Sequence, residues 1–303
     1  MFKRPLLGLV AASSIGLLAA CGSTPHTPVA TPADPVDVDA YAPKVESFVV
    51  LLDKSSSMGD DYMDTPKLHS AQDVVASFNG AVPDAGFNAG LVTYGRECGW
   101  SYGGKGAAST AYGLTAHQAS DFEAALASIE CGAGTTPMAE GVNTAAQLLA
   151  SQGGPSALII VSDFQWLDTD AVEASVADLR SQHGDDVCIH TIKIGDNTTG
   201  DALIGKITDQ AGCDSAVGAG DLASGAAMSA YVTDTLMAPL QYEKHTVSAM
   251  ALFDFDKAVL KDQGKAELQN LGDLIKSKGM SVGDIDVVGH TDSMGSEEYN
   301  QGL

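Results

Sequence analysis

Two uninterrupted apolar runs dominate the hydropathy pattern of the chain. Residues 48–52 read Phe-Val-Val-Leu-Leu and residues 157–161 read Ala-Leu-Ile-Ile-Val. A strand with one wet face alternates apolar and polar positions, so runs without polar alternates predict strands covered on both faces. Each run ends at or near an aspartate, Asp53 and Asp163. Around them the period alternates, predicting strands over 89–94 and 187–194 and helices over 67–78, 121–129, 138–151, 170–182, 201–211 and 224–237. The 121–129 helix places Phe122, Ala125, Leu126 and Ile129 on one stripe, and Asp168 or Thr169 offers an N-cap for the 170–182 helix. Such alternation predicts an α/β fold, a doubly wound and mostly parallel sheet with helices on both faces. Ligands of these sheets sit at the carboxyl ends of the strands, where Asp53 and Asp163 fall.

Both flanks break this pattern. Lys3 and Arg4 precede an apolar stretch over 5–20, about as long as a signal-peptide core and short of the ~20 residues of a membrane span. It ends in Leu18-Ala19-Ala20-Cys21-Gly22, which resembles the lipobox of bacterial lipoproteins. That resemblance implies removal of residues 1–20, lipid on Cys21 and attachment to a membrane, with Gly22 favouring the outer membrane and a periplasm-facing domain. Residues 21–46, rich in Pro, Thr, Ala and Asp, lack the bulky apolar side chains a core needs and are expected to form a disordered tether. Past Tyr242 a strand-like stretch over 247–255, a helix over 263–276 and a strand over 285–288 suggest a second, smaller α+β domain.

Charge and cysteine content narrow the chemistry. The chain carries 16 Lys and Arg against 39 Asp and Glu, a formal charge of −23 that repels phosphate backbones, so nucleic acid is not expected as a partner. With Cys21 reserved for lipid, Cys98, Cys131, Cys188 and Cys213 remain, an even number outside the cytoplasm. None is spaced as a zinc finger or ribbon. Cys98 follows a strand and Cys131 enters the neighbouring loop, while Cys213 precedes a short strand fit to lie beside the one carrying Cys188. The expected bonds are therefore Cys98 to Cys131 and Cys188 to Cys213.

Three short stretches bear oxygen donors at the predicted strand ends. Asp53-Lys54-Ser55-Ser56-Ser57 places a carboxylate and two hydroxyls on one tight loop. Gly132-Ala133-Gly134-Thr135-Thr136-Pro137 delivers a hydroxyl before a helix, and Val161-Ser162-Asp163 ends a strand with a carboxylate. Hard oxygen donors of this kind suit octahedral Mg²⁺ or Mn²⁺. In order and separation the three resemble the metal-ion-dependent adhesion site of von Willebrand factor A (VWA) domains, a likeness covering residues 47–240. The resemblance implies Asp53, Ser55, Ser57, Thr136 and Asp163 as the metal ligands, with Thr135 a substitute for Thr136, and an open metal position taken by a carboxylate of a protein partner. Phe164 departs from it, because the family often has glycine there, and implies a differently shaped loop over the metal. His69, His117, His183 and His190 lack a nucleophile or metal partner at recognisable spacing, so no enzyme is expected.

The second segment, 246–303, contains Leu252-Phe253-Asp254-Phe255-Asp256, Gly289-His290-Thr291-Asp292-Ser293 and Asn300-Gln301-Gly302-Leu303, and resembles OmpA-like peptidoglycan-binding domains. The resemblance implies that Asp292 holds the diaminopimelate ammonium and that Asn300 lines the site. The arginine that grips the same residue's carboxylate belongs about one turn past Leu303, so the segment is expected to be incomplete and to bind peptidoglycan weakly or not at all. Together these features describe an outer-membrane lipoprotein that binds an acidic partner through a metal. The competing readings are a wall anchor with a vestigial metal site and a Mg²⁺-dependent periplasmic phosphatase, the latter disfavoured because Ser55 stands where a second aspartate would be needed.

Overall fold

The computed structural model of the chain describes residues 26–98, 104–240 and 259–277. The chain divides into two units between Leu240 and Gln241. The first is built on a six-stranded sheet. Its strands are β2 (Ser47–Lys54), β5 (Asn88–Gly95), β6 (Ala107–Ala116), β7 (Ser156–Ser162), β8 (Val187–Lys193) and β9 (Ser215–Gly218), in the order β6-β5-β2-β7-β8-β9. All neighbours run parallel except the edge strand β6, which lies antiparallel to β5.

The central strand β2 explains the uninterrupted apolar run. Phe48, Val50 and Leu52 enter one core, with side chains of α1 (Lys67–Ala81), α2 (Ala119–Ala127) and α6 (Gly225–Leu236). Val49 and Leu51 point the opposite way, into a second core shared with α3 (Met138–Ala150), α4 (Thr169–His183) and α5 (Asp201–Thr208). A two-residue period read into two apolar layers leaves no position for a polar side chain. The doubly wound, mostly parallel α/β fold expected from the sequence is thus the fold observed.

Several details differ from the expectation. β6 was not expected as a strand: apart from Tyr112 and Leu114 its residues are small or polar, and most are exposed, as an edge strand allows. α2 stops at Ala127 and α5 at Thr208, each a turn or less short of its predicted end. Asp168, not Thr169, caps α4 through the Ala171 amide at 3.2 Å. Both disulfides, Cys98 to Cys131 and Cys188 to Cys213, form as expected, the second joining β8 to the turn before β9.

The largest difference lies before the sheet. Residues 26–40, expected to be an unfolded tether, run against α1 and α6. The carboxylate of Asp73 accepts from the Val29 amide at 2.8 Å and bonds His26 Nε2 at 2.7 Å; Ser77 Oγ accepts from the Thr31 amide at 2.9 Å, and Ser229 donates to the Asp34 carbonyl. His26 also stacks on His69 at 4.3 Å. Ala33 and Val36 pack on the first core, and β1 (Tyr41–Pro43) pairs antiparallel with β10 (Met237–Pro239). Polar anchors on the helices thus hold a segment whose own apolar content is too low to fold alone.

In the second unit the described part is one helix, Asp262–Ser277, close to the predicted 263–276. Residues 1–20, Cys21 and the expected strands 247–255 and 285–288 lie outside the described residues. Among the described residues no helix is long and apolar enough to cross a membrane.

The Asp73 anchor generates a test. Asp73→Ala should speed hydrogen exchange of the Val29 amide by about tenfold or more while lowering global stability by no more than ~1 kcal/mol, since a partly exposed hydrogen bond is worth little more. Unchanged exchange at Val29 would show that other contacts hold the segment.

Candidate metal centre

The winding of the sheet reverses at β2. The chain lays β5 and β6 on one side of it and β7, β8 and β9 on the other, so the carboxyl ends of β2 and β7 border the crevice where such folds bind ligands. Parallel register pairs Leu52 with Val161, which sets Asp53 against Ser162 and Asp163. Ser162 Oγ donates to Asp53 Oδ2 at 2.6 Å, and the Ser55 amide donates to Asp53 Oδ1 at 2.7 Å. The chain then turns through a 3₁₀ segment, Ser56–Gly59, that brings Ser57 Oγ to 3.3 Å from Ser55 Oγ and lets it donate to Asp163 Oδ1 at 3.2 Å. Asp53, Ser55, Ser57 and Asp163 are all buried, and the two aspartates are fully so.

The threonine loop is stitched to this turn by its backbone. Ala133 N donates to the Lys54 carbonyl at 2.8 Å and Ser56 N to the Gly134 carbonyl at 3.1 Å. Gly132 is demanded by that approach, because a Cβ there would stand 2.7 Å from the Ser55 carbonyl oxygen. The Cys98–Cys131 bond ties the same loop to the segment following β5. Thr135 Oγ1 is committed to the Gly106 amide at 2.9 Å, a brace to the start of β6. Thr136, partly buried, stands on the pinned loop; among the described residues its hydroxyl makes no hydrogen bond to the other four side chains.

Four residues with a part in this arrangement went unnoticed in the sequence. Lys67, the first residue of α1, donates to Asp163 Oδ2 at 2.9 Å and to the Ser57 carbonyl at 3.3 Å. Gln165 Nε2 reaches Asp163 Oδ2 at 2.9 Å, and its amide reaches Oδ1 at 3.1 Å. Asn197 Nδ2 holds the Asp163 carbonyl at 2.9 Å, and Ser162, besides bonding Asp53, accepts from the Phe164 amide at 2.9 Å. Ser162 alone carried a legible signal, standing beside Asp163 at a predicted strand end.

The loop after Asp163 passes through Phe164 in a glycine-like conformation. Phe164 has a φ of 53°, in the left-handed region where glycine is at ease, yet its side chain is buried in the second core. Holding a non-glycine residue there costs roughly 1 kcal/mol or more, which burial of the ring offsets. Gly200 makes room for it, because a Cβ at that position would lie 2.2 Å from the Phe164 Cβ.

The electrostatics favour a cation. Burial, reinforced by the charge on Asp163, pushes the Asp53 carboxyl up to about 6 despite the opposing hydrogen bonds from Ser162 and Ser55. Two fully buried carboxylates at adjacent strand ends lack sufficient positive charge, and the hydroxyls of Ser55 and Ser57 converge on them. Among the described residues no three His, Cys, Asp or Glu side chains group to hold a metal. The donors present are carboxylate and hydroxyl oxygens, which fit Mg²⁺ or Mn²⁺.

The described histidines lie elsewhere. His117 Nε2 bonds Asn79 Oδ1 at 2.8 Å, and the buried His190 Nδ1 bonds Ser215 Oγ at 2.7 Å. Burial lowers the His190 pKa to about 3, so its ring is neutral at any physiological pH. Asp292 and Asn300, expected at a peptidoglycan site, lie outside the described residues.

Two predictions follow from this geometry. Because the folded Asp53 carboxyl titrates at about 6 and its ordinary value is 3.8, the stabilising, protonated form is fully present below pH 3.8. That contribution disappears as the pH rises through 6, so in chelator the unfolding free energy of Asp53→Asn should gain on the parent between pH 4 and 7. A constant difference across that range would contradict the assignment. Gly200→Ala should cost about 1–3 kcal/mol in chemical denaturation, and a neutral effect would show that Phe164 yields easily.

Residues 48–216 match the family described as the von Willebrand factor type A domain. Among curated relatives, outer membrane protein A of Shigella flexneri is 42% identical over 67 residues, covering 22% of this chain and 19% of that protein. Outer membrane protein A of Citrobacter freundii is 39% identical over 67 residues, covering 22% of this chain and 28% of that one. The chain thus spans less than a third of the length of the curated relatives it matches. Among solved structures, a von Willebrand factor type A protein from Catenulispora acidiphila aligns at 11% identity and a TM-score of 0.43, over 69% of this chain and 47% of that one. The manganese-loaded TRAP protein of Plasmodium vivax aligns at 12% identity and a TM-score of 0.44, over 66% and 78% of the two chains. Members of the matched family are generally adhesion or interaction modules rather than enzymes. With its doubly wound sheet, its crevice of buried aspartates and a family match over more than half its length, this chain belongs to the von Willebrand factor type A domain family.

Proposed function

We propose that the domain over 47–240 holds Mg²⁺ or Mn²⁺ through Asp53, Ser55, Ser57, Thr136 and Asp163 and uses the ion to bind a carboxylate presented by a protein partner. The observation that carries this reading is the burial of Asp53 and Asp163 side by side, with Ser55 and Ser57 hydroxyls turned onto them. One ammonium, that of Lys67, faces two buried carboxylates, and an uncompensated buried anion is among the costliest things a fold can hold, so a divalent ion answers the remainder. Five protein oxygens do not saturate an ion when some bind through water, so an acidic side chain from outside can complete its shell. Pinning of the threonine loop to the first loop supports Thr136 as the fifth donor, since Thr135 is engaged with Gly106.

The setting we propose is the bacterial envelope. Cys21 carries the lipid that attaches the protein to the outer membrane, and the segment over 246–303 meets peptidoglycan, through Asp292 and Asn300, at most weakly. The likeness to outer membrane protein A over 67 residues supports the second part of this reading. Such a protein places a metal-dependent binding module between membrane and wall.

Titration calorimetry of the parent with Mg²⁺ should give one site per chain, and Asp53→Ala should abolish it; equal affinity in the two would refute the metal assignment. Cys21→Ser should move the protein from the membrane to the soluble fraction or block its processing. Parent protein found in the soluble periplasm would refute the lipid anchor.

A further inference from the structure

Lys67 stands inside the site rather than beside it. Its side chain is 10% exposed and its ammonium contacts Asp163 Oδ2 at 2.9 Å and the Ser57 carbonyl at 3.3 Å, touching two of the residues assigned to the metal. Nothing about its position is loose. Its amide donates to the Asp60 carbonyl at 3.0 Å, fixing the first turn of α1 against the turn that carries Ser57, and Leu68 and Ala71 next to it are buried in the first core. A lysine is almost never buried without a partner, so the contact with Asp163 is the reason it can be there.

We propose that Lys67 is a built-in counter-ion of the metal site, a positioning residue that neutralises Asp163 when no metal is bound and opposes the metal when one arrives. The inference rests on the metal reading above. In the metal-free domain the ammonium supplies half the positive charge that Asp53 and Asp163 demand, which lets the domain fold before it is loaded. With a divalent ion present, two carboxylates and one ammonium leave a unit of positive charge uncancelled. That surplus weakens the hold on the ion and is the charge that a partner's carboxylate satisfies. Lys67 thus sets both how tightly the ion is kept and why an anion is wanted beside it. Gln165, which also bonds Asp163 Oδ2, contributes no charge and holds the carboxylate's orientation.

The test compares parent, Lys67→Met and Lys67→Arg in the full chain, with Mg²⁺ alone as the probe. Lys67→Met keeps the apolar stem and removes the charge. It should bind Mg²⁺ about tenfold or more tightly, while its melting temperature in chelator falls and its stabilisation by Mg²⁺ grows. Lys67→Arg keeps the charge and should stay near the parent in affinity. If Lys67→Met is too unstable to purify in chelator, refolding it with and without Mg²⁺ reads the same coupling: rescue by the ion is expected, and failure in both overturns the inference. A purely structural role would lower the melting temperature equally in both conditions and leave the affinity unchanged, which also overturns it. A parent that binds no Mg²⁺ at all would instead bring down the metal reading, and the inference with it.

Discussion

Two aspartates with no exposure to solvent, at the ends of neighbouring parallel strands, are the constraint around which this domain is arranged. Their closeness is a property of the winding. Because β2 is central and the chain leaves it first to one side and later to the other, the ends of β2 and β7 have no crossover covering them, and any side chains there face a shared crevice. Burial of the pair then dictates the neighbourhood. Each carboxylate oxygen that hydrogen-bonds does so to a group held by rigid backbone: the Ser55 amide, Ser162, Ser57, Gln165 or Lys67. The raised pKa of Asp53 is the remaining imbalance.

The loops around the pair are shaped by close approach more than by side-chain packing. Gly132 lets the threonine loop lie on the Ser55 carbonyl, and Gly200 lets the following segment lie under Phe164. A disulfide, a pair of backbone bonds and the Thr135 brace then fix the threonine loop at three points. Such redundancy fixes the loop that carries Thr136 in advance, and preorganisation of this kind lowers the cost of binding.

Much of this was legible from residue order. The runs 48–52 and 157–161 announced buried parallel strands because a two-sided core forbids polar alternates, and each run pointed at its aspartate. Spacing relative to predicted strands also sufficed to pair the cysteines. What escaped was set by tertiary placement. β6 carries the mostly small and polar composition of an exposed edge, which periodicity cannot separate from a loop. The stretch 26–40 is ordered by Asp73, Ser77 and Ser229, over forty positions away or more, so its own composition was silent. Lys67 at a helix start reads as a solvated charge until the fold turns it onto Asp163.

The pairing of β1 with β10 has a mechanical meaning. Tyr41 lies opposite Pro239, and the Leu240 amide donates to the Ala40 carbonyl at 2.8 Å, so the stretch before the sheet and the end of the domain are joined side by side. Tension applied from the amino-terminal side would meet the Asp73, Ser77 and Ser229 anchors of residues 26–40 before it reached this ribbon, which would then open one rung at a time, as a zipper does. A load on that side is therefore taken first by α1 and α6, and only afterwards by the strands whose ends border the crevice.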